Sequence, residues 1–113
     1  MKVIIAGSRE ITDKDLIYEI LDSCDLEISE VVCGTARGPD TIGEFWAKDR
    51  EIPVKYFKPD WKGLGKKAGP LRNIQMGDYA DALVAFWDGK SNGTKHMIEY
   101  ARDKGLTIRV FYI

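Results

Sequence analysis

The sequence predicts an α/β fold: a three-layer sandwich in which a five-stranded parallel sheet carries helices on both faces. Three observations predict it. Short, continuously apolar runs such as "KVIIAGS" and "DALVAFW" lack the alternation of a half-exposed strand, which marks them as buried on both sides. Each such run is followed by a segment with apolar residues at helical spacing. Glycine stands at three of the junctions, Gly7, Gly34 and Gly89. Strand and helix alternating in this way imply right-handed crossovers and helices above and below one sheet.

The elements follow in order. Residues 2–8 form the first strand, and Thr12 and Asp15 in capping-box spacing open a helix that puts Leu16, Ile17, Ile20, Leu21 and Cys24 on one face. "ISEVVCG" (28–34) is the second strand; "GPDTIGEFWAKDR" (38–50) is the second helix, with Ile42, Phe45 and Trp46 expected to face inward. "VKYFKPD" (54–60) is the third strand. Residues 60–69, "DWKGLGKKAG", are the only long irregular stretch, expected to be a mobile lid over a site. Pro70 suits the first turn of a third helix that runs to about Tyr79. Residues 81–87 are the fourth strand, 93–105 a fourth helix closed by Gly105, and 107–113 the fifth strand. No repeat or linker interrupts the pattern, so residues 1–113 are expected to be a single domain.

Composition narrows the function. With 44% hydrophobic and 31% charged residues the chain is globular and not disordered, and no apolar stretch approaches a membrane span. Arg9 and Glu10 cut off the initial apolar run too early for a signal peptide, so a cytoplasmic location is expected. Cys24 and Cys33 lack metal-ligand spacing and read as free thiols in apolar surroundings. His96 is the single histidine, which leaves little scope for a histidine-ligated zinc or a Ser-His-Asp triad; no metal and no cofactor is expected. Its place in the first turn of the last helix suits a solvent-facing or capping role. The net charge of −1 argues against a protein wrapped around a polyanion. Its distribution is uneven, however. Segments 7–10, 34–40, 58–72 and 88–95 hold nine cations and four acids, a local charge of +5 in an otherwise acidic chain.

Those segments fall at the carboxyl ends of the strands, where open α/β sheets bind ligands. In "DGKSNGT" (88–94), Gly89 and Gly93 permit close backbone approach, while Ser91, Asn92 and Thr94 offer polar groups beside the free N–H donors of a helix start. Such a loop either receives an anion or is a capped helix start whose glycines serve only the turn; the recurrence of the pattern in three loops favours the anion. "AGSRE" repeats the chemistry with Gly7, Ser8 and Arg9, and "CGTARGPD" with Gly34, Thr35 and Arg37. Either arginine can fork onto phosphate oxygens or pair with a nearby acid. Asp40 either accepts from a ribose hydroxyl or caps its own helix. Trp61 and Trp87 border the loops, where an aromatic ring stacks on a base or simply packs into the core. The dinucleotide fingerprint GxGxxG and the phosphate loop GxxxxGK[ST] are both absent, which excludes an ordinary NAD dehydrogenase and a P-loop NTPase.

"GSRE", "VVCGTARGPDTIGEFWAKDREIPV", "DWKGLGKKAGPLRN" and "ADALVAFWDGKSNGT" together resemble the YspA-like DUF2493 family, a branch of the SLOG superfamily common in bacteria and phages. The resemblance covers almost the whole chain and implies a Rossmann-like fold. It also implies kinship with the LOG phosphoribohydrolases, which split nucleoside monophosphates into base and ribose phosphate, and with domains that sense NAD-derived nucleotides. Carried over by position, Arg72 takes the LOG arginine, Asn73 replaces the lysine beside it, and Gly93 and Thr94 fill the glycine-threonine pair. The catalytic glutamate position is Met97, which cannot stabilise an oxocarbenium-like centre or handle a proton. Glu99 lies about 200° further round the helix and is a poor substitute.

The resulting expectation is a domain that binds a phosphorylated, NAD- or ADP-ribose-derived nucleotide as a sensor or sequestering protein. The binding set is Gly7, Ser8, Arg9, Gly34, Thr35, Arg37, Trp61, Arg72, Asn73, Asp88, Gly89, Ser91, Gly93 and Thr94. An N-glycosidase would instead need Arg72 with Asp40 or Asp88. A nucleic-acid module is a third class, against which the pI of about 5.8 weighs. A homodimer is expected by analogy, since the loop ends of so small a chain are shallow.

Overall fold

The computed structural model describes residues 1–113. Five strands, β1 (Lys2–Gly7), β2 (Glu30–Cys33), β3 (Val54–Tyr56), β4 (Ala82–Trp87) and β5 (Thr107–Tyr112), form one sheet in the order β3-β2-β1-β4-β5. All four pairings are parallel, as the apolar runs predict. Winding runs outward from β1 to β3 and then restarts at β4 on the other side, so the direction reverses between β1 and β4. That reversal places a crevice beyond their carboxyl ends.

Period-2 alternation divides the core into two layers. Val3, Ile5, Val31, Val84 and Phe86 point to one face and meet Ile17 and Leu21 of α1 (Lys14–Asp22) and Trp46 and Ala47 of α2 (Pro39–Asp49). Ile4, Ala6, Val32, Leu83 and Ala85 point to the other. There they meet Met76 of α4 (Ala68–Tyr79) and Met97 and Ala101 of α5 (Asn92–Asp103). Side chains such as Phe86, Ile4 and Ile17 are wholly buried; each contributes about 1.5–3 kcal/mol relative to exposure.

Several local expectations are corrected. Asp13, not Thr12, caps α1: its carboxylate accepts from the Leu16 N–H at 3.1 Å. Phe45 points outward and is 49% exposed. The reason is Gly43, whose missing side chain lets α2 settle on Ile5; a Cβ there would lie 2.6 Å from Ile5 Cγ2. The buried stripe is therefore centred on Gly43, and Phe45 lies about 200° from it. Residues 60–69 are not irregular. Asp60 caps a single helical turn, α3 (Trp61–Leu64), a 3₁₀ turn follows at Gly65–Lys67, and α4 begins at Ala68 rather than Pro70. The third strand stops at Tyr56, short of residue 60. The last helix starts at Asn92, with Ser91 as its cap.

Candidate functional site

The crevice is built from the ends of β1, β2 and β4 and from the amino ends of α2, α4 and α5. Three helix starts converge there; that of α5 leaves the Asn92 and Gly93 N–H groups without a partner, whereas α4 continues from the 3₁₀ turn, with the Ala68 N–H donating to Gly65 O. Ser8 locks the crevice shut from below: its N–H donates to Phe86 O at 2.9 Å and its hydroxyl accepts from the Asp88 N–H at 3.1 Å. Gly7 is required beside it, because a Cβ would collide with the Phe86 carbonyl and the Pro39 ring.

Arg72 is the central cation. It extends from α4 across the crevice, donating from Nη1 to Gly34 O and from Nε to Asn73 Oδ1 at 3.0 Å. Gly34 has no room for a side chain, since a Cβ would lie 2.6 Å from Arg72 Nη1 and 2.8 Å from Asp40 Oδ2. Burial works against the charged form of Arg72, Asp40 works for it, and the Arg9 guanidinium works against it again. Neither Arg9 nor Arg72 is in any of the five ion pairs of the molecule.

Asp40 is 3% exposed, and burial pushes its carboxyl up to about 6 against the opposing pull of Arg72 and of backbone N–H groups. It does not cap its helix, whose cap is Gly38. Its Oδ2 instead faces back to the Ala36 N–H at 3.5 Å and steadies the β2–α2 loop. In that loop Thr35 holds φ at 64°, a left-handed conformation costly for a β-branched residue.

Asn73 fixes the other wall. Its amide donates to Gly93 O at 3.2 Å and meets His96 Nδ1 at 3.1 Å. An NH₂ group can only donate, so Nδ1 accepts and the proton of neutral His96 lies on Nε2, which is left free. His96 is thus neither a cap nor simply a solvent-facing residue. Its position in the first turn of α5 was the one signal available in the sequence; its pairing with Asn73 was not.

The crevice has three connected parts. A small cavity of about 70 Å³ lies at the head of α5, between Gly7, Ser91, Gly93 and Thr94, with Met97 in its floor. A cleft of about 320 Å³ lies toward β2, lined by Arg9, Thr35, Arg37, Lys58, Trp61 and Arg72. Another of about 310 Å³ lies toward α5, between Trp61, Pro70, Asn92, Gly93 and His96. Of the residues expected at the site, Gly7, Arg9, Thr35, Arg37, Trp61, Arg72, Asn73, Ser91, Gly93 and Thr94 line these spaces, and Gly34 and Ser8 support them.

Asp88 and Gly89 do not line them. Asp88 turns away to accept from the Lys90 N–H at 2.8 Å and the Ser91 N–H at 2.9 Å, bonds that hold its carboxyl below the usual range. Gly89 serves the turn, with φ at 80°. Trp87 donates from Nε1 to Ser91 O at 3.1 Å and packs on Tyr112. Cys33 is buried, which pushes its thiol up to about 11, and Cys24 is also a free thiol. No helix is long and apolar enough to cross a membrane.

Fold and crevice define a Rossmann-like α/β protein with a cationic carboxyl edge. Residues 1–63 match the YspA, cpYpsA-related SLOG family (YAcAr). The Gene 61 protein of Mycobacterium phage D29 is 36% identical over 117 residues, spanning 95% of this chain and 93% of that protein. The chain belongs to the YspA, cpYpsA-related SLOG family. Among solved structures, DNA processing protein A (DprA) from Streptococcus pneumoniae superposes with a TM-score of 0.79 at 18% identity, over 96% of this chain. The chain spans 49% of the length of that DprA chain, and the likeness is one of fold.

Proposed function

We propose that residues 1–113 act as one domain that binds a phosphorylated nucleotide, NAD- or ADP-ribose-derived, as a cytoplasmic sensor or sequestering protein. The observation that carries this reading is the Arg9–Arg72 pair. Two guanidinium groups of like charge face one crevice without an ion-pair partner, beside the head of a 12-residue helix. A phosphate supplies the missing counter-charge, accepts forked hydrogen bonds from both, and meets free N–H groups at Asn92 and Gly93. Gly93 supports the same placement: its φ is not positive and nothing lies within 4 Å of where a Cβ would be, so the fold does not require glycine there. A ligand that approaches the backbone would require it.

Hydrolysis of the LOG type is not part of this reading, because Met97 is 1% exposed in the cavity floor where that chemistry needs a carboxylate. A second reading has one observation in its favour. Asp40 lines the same small cavity with its carboxyl at about 6, in the range of a general acid or base, which suits an N-glycosidase. The two separate in one assay. The protein is incubated with nucleoside monophosphates, ADP-ribose and NAD, and free base is followed by chromatography. Binding without release is expected; catalytic release abolished by Asp40→Asn or Arg72→Ala would establish the enzyme. DprA is by its title a DNA processing protein. Titration with single- and double-stranded DNA is therefore the control, in which steep salt dependence would favour a nucleic-acid partner.

A further inference from the structure

Trp61, Arg9 and Arg72 form a ridge shared by the two larger clefts, and the clefts differ in chemistry. The cleft toward β2 is lined by four cations, Arg9, Arg37, Lys58 and Arg72, and by no carboxylate. Two of them have an acidic neighbour: Arg37 meets the exposed Glu10 at 3.7 Å, a pair too open to water to hold it, and Arg72 has the Asp40 carboxyl close by, while Arg9 and Lys58 have none. The cleft toward α5 offers flat and neutral polar groups instead: the Trp61 ring, half exposed, Pro70, Asn92, and the free Nε2–H of His96.

We infer, on the basis of the nucleotide reading above, that the ligand carries at least two linked phosphates and lies across the ridge. The base occupies the α5 cleft against Trp61, with His96 Nε2–H and Asn92 at its polar edge. The first phosphate sits at Arg72 and the head of α5, and the chain continues past Arg9 toward Lys58 and Arg37. Charge decides the number of phosphates. A phosphomonoester carries about −1.5 to −2 at neutral pH and, seated at Arg72 and the head of α5, would leave Lys58 and Arg37 at the far end of the cleft without a counter-charge. A second phosphate placed in that cleft removes most of the remaining repulsion. The neutral α5 cleft offers that second phosphate no cation beyond the shared Arg9 and Arg72.

Calorimetric titration with the four common nucleoside monophosphates, the corresponding diphosphates, ADP-ribose and inorganic pyrophosphate tests the inference. The best diphosphate is expected to bind at least ten-fold more tightly than its monophosphate. In the double variant Arg37→Ala, Lys58→Ala, both at exposed positions, this advantage should fall to less than about three-fold, the diphosphate losing more affinity than the monophosphate does. Equal affinity for mono- and diphosphates would overturn the two-phosphate inference and leave the nucleotide reading standing. Pyrophosphate binding as tightly as every diphosphate would overturn the base placement. Failure of all these ligands to bind the folded wild-type protein would overturn the nucleotide reading itself.

Discussion

On the amino side of the sheet, where helices end, Arg50 meets Asp22 at 2.6 Å, Arg109 meets Asp25 at 2.9 Å and Lys104 meets Asp78 at 3.3 Å. On the carboxyl side, Arg9, Lys58 and Arg72 meet no carboxylate at ion-pair distance, although Asp40 lies close to Arg72. The fold permits pairing at either edge, as the exposed Arg37–Glu10 pair on the carboxyl side shows. What differs is purpose. Exposed pairs neutralise the amino side at small energetic consequence, while the carboxyl side retains a partly buried guanidinium whose charged form is disfavoured by its surroundings. That arrangement is costly unless a ligand completes it.

The largest expected effect comes from removing the central cation. Arg72→Ala should weaken nucleotide binding by about 1.5–3 kcal/mol, the scale of a charged hydrogen bond. Arg50→Ala, its counterpart on the amino side, should leave affinity unchanged in the same calorimetric titration. Equal losses in both variants would erase the distinction between the edges.

Two glycines sharpen it next. Gly93→Val places a side chain in open space at the mouth of the crevice, so the melting temperature should hold while affinity falls at least ten-fold. Gly43→Val drives a side chain into Ile5 and should cost about 1–3 kcal/mol of stability by overpacking. Thermal melts of the two variants, paired with titrations of Gly93→Val, measure both effects.

Asp40 offers a pH test. Its folded-state value of about 6 lies above the ordinary 3.8, so the stability it confers is fully present below 3.8 and is lost as pH rises through about 6. Asp40→Asn keeps an acceptor for Ala36 and should stabilise the protein at pH 7.5, on the order of 2 kcal/mol, with little effect at pH 3.5. Affinity for NAD, whose pyrophosphate charge is constant in this range, should rise as pH falls from 7.5 to 5.5. In Asp40→Asn that rise should be lost; a His96→Gln background removes the imidazole from the comparison.

The smallest effect belongs to the amino-side pairs. Arg50 holds the Asp22 carboxyl below its ordinary value, so the stability from that pair is present above pH 3.8 and lost as pH falls below it. Asp22→Asn should shift the melting temperature slightly at neutral pH, and less still in high salt.

The parallel sheet, the helices on both its faces and the cationic edge were legible because they depend on apolar runs, on glycines at strand ends and on where charged residues fall along the chain; the strand order was not read from them. The roles of single polar residues were not. Ser8 and Asp88 carry the same groups as the proposed ligand contacts, yet bond to the backbone: Ser8 because β1 lies beside β4, and the Asp88 carboxylate within its own turn. Phe45 was misplaced because the small Gly43, not the largest apolar residue, defines the buried stripe of α2. His96 entered the site through Asn73, a contact between helices twenty-three residues apart that no local pattern records.

Native mass spectrometry of the purified protein tests the central claim most directly. Wild-type protein mixed with ADP-ribose or a nucleoside diphosphate should show the protein mass plus one ligand, and Arg72→Ala or Gly93→Val at the same concentration should show largely the bare protein. A folded wild-type protein that carries no nucleotide from the cell and takes up none from the mixture would contradict it.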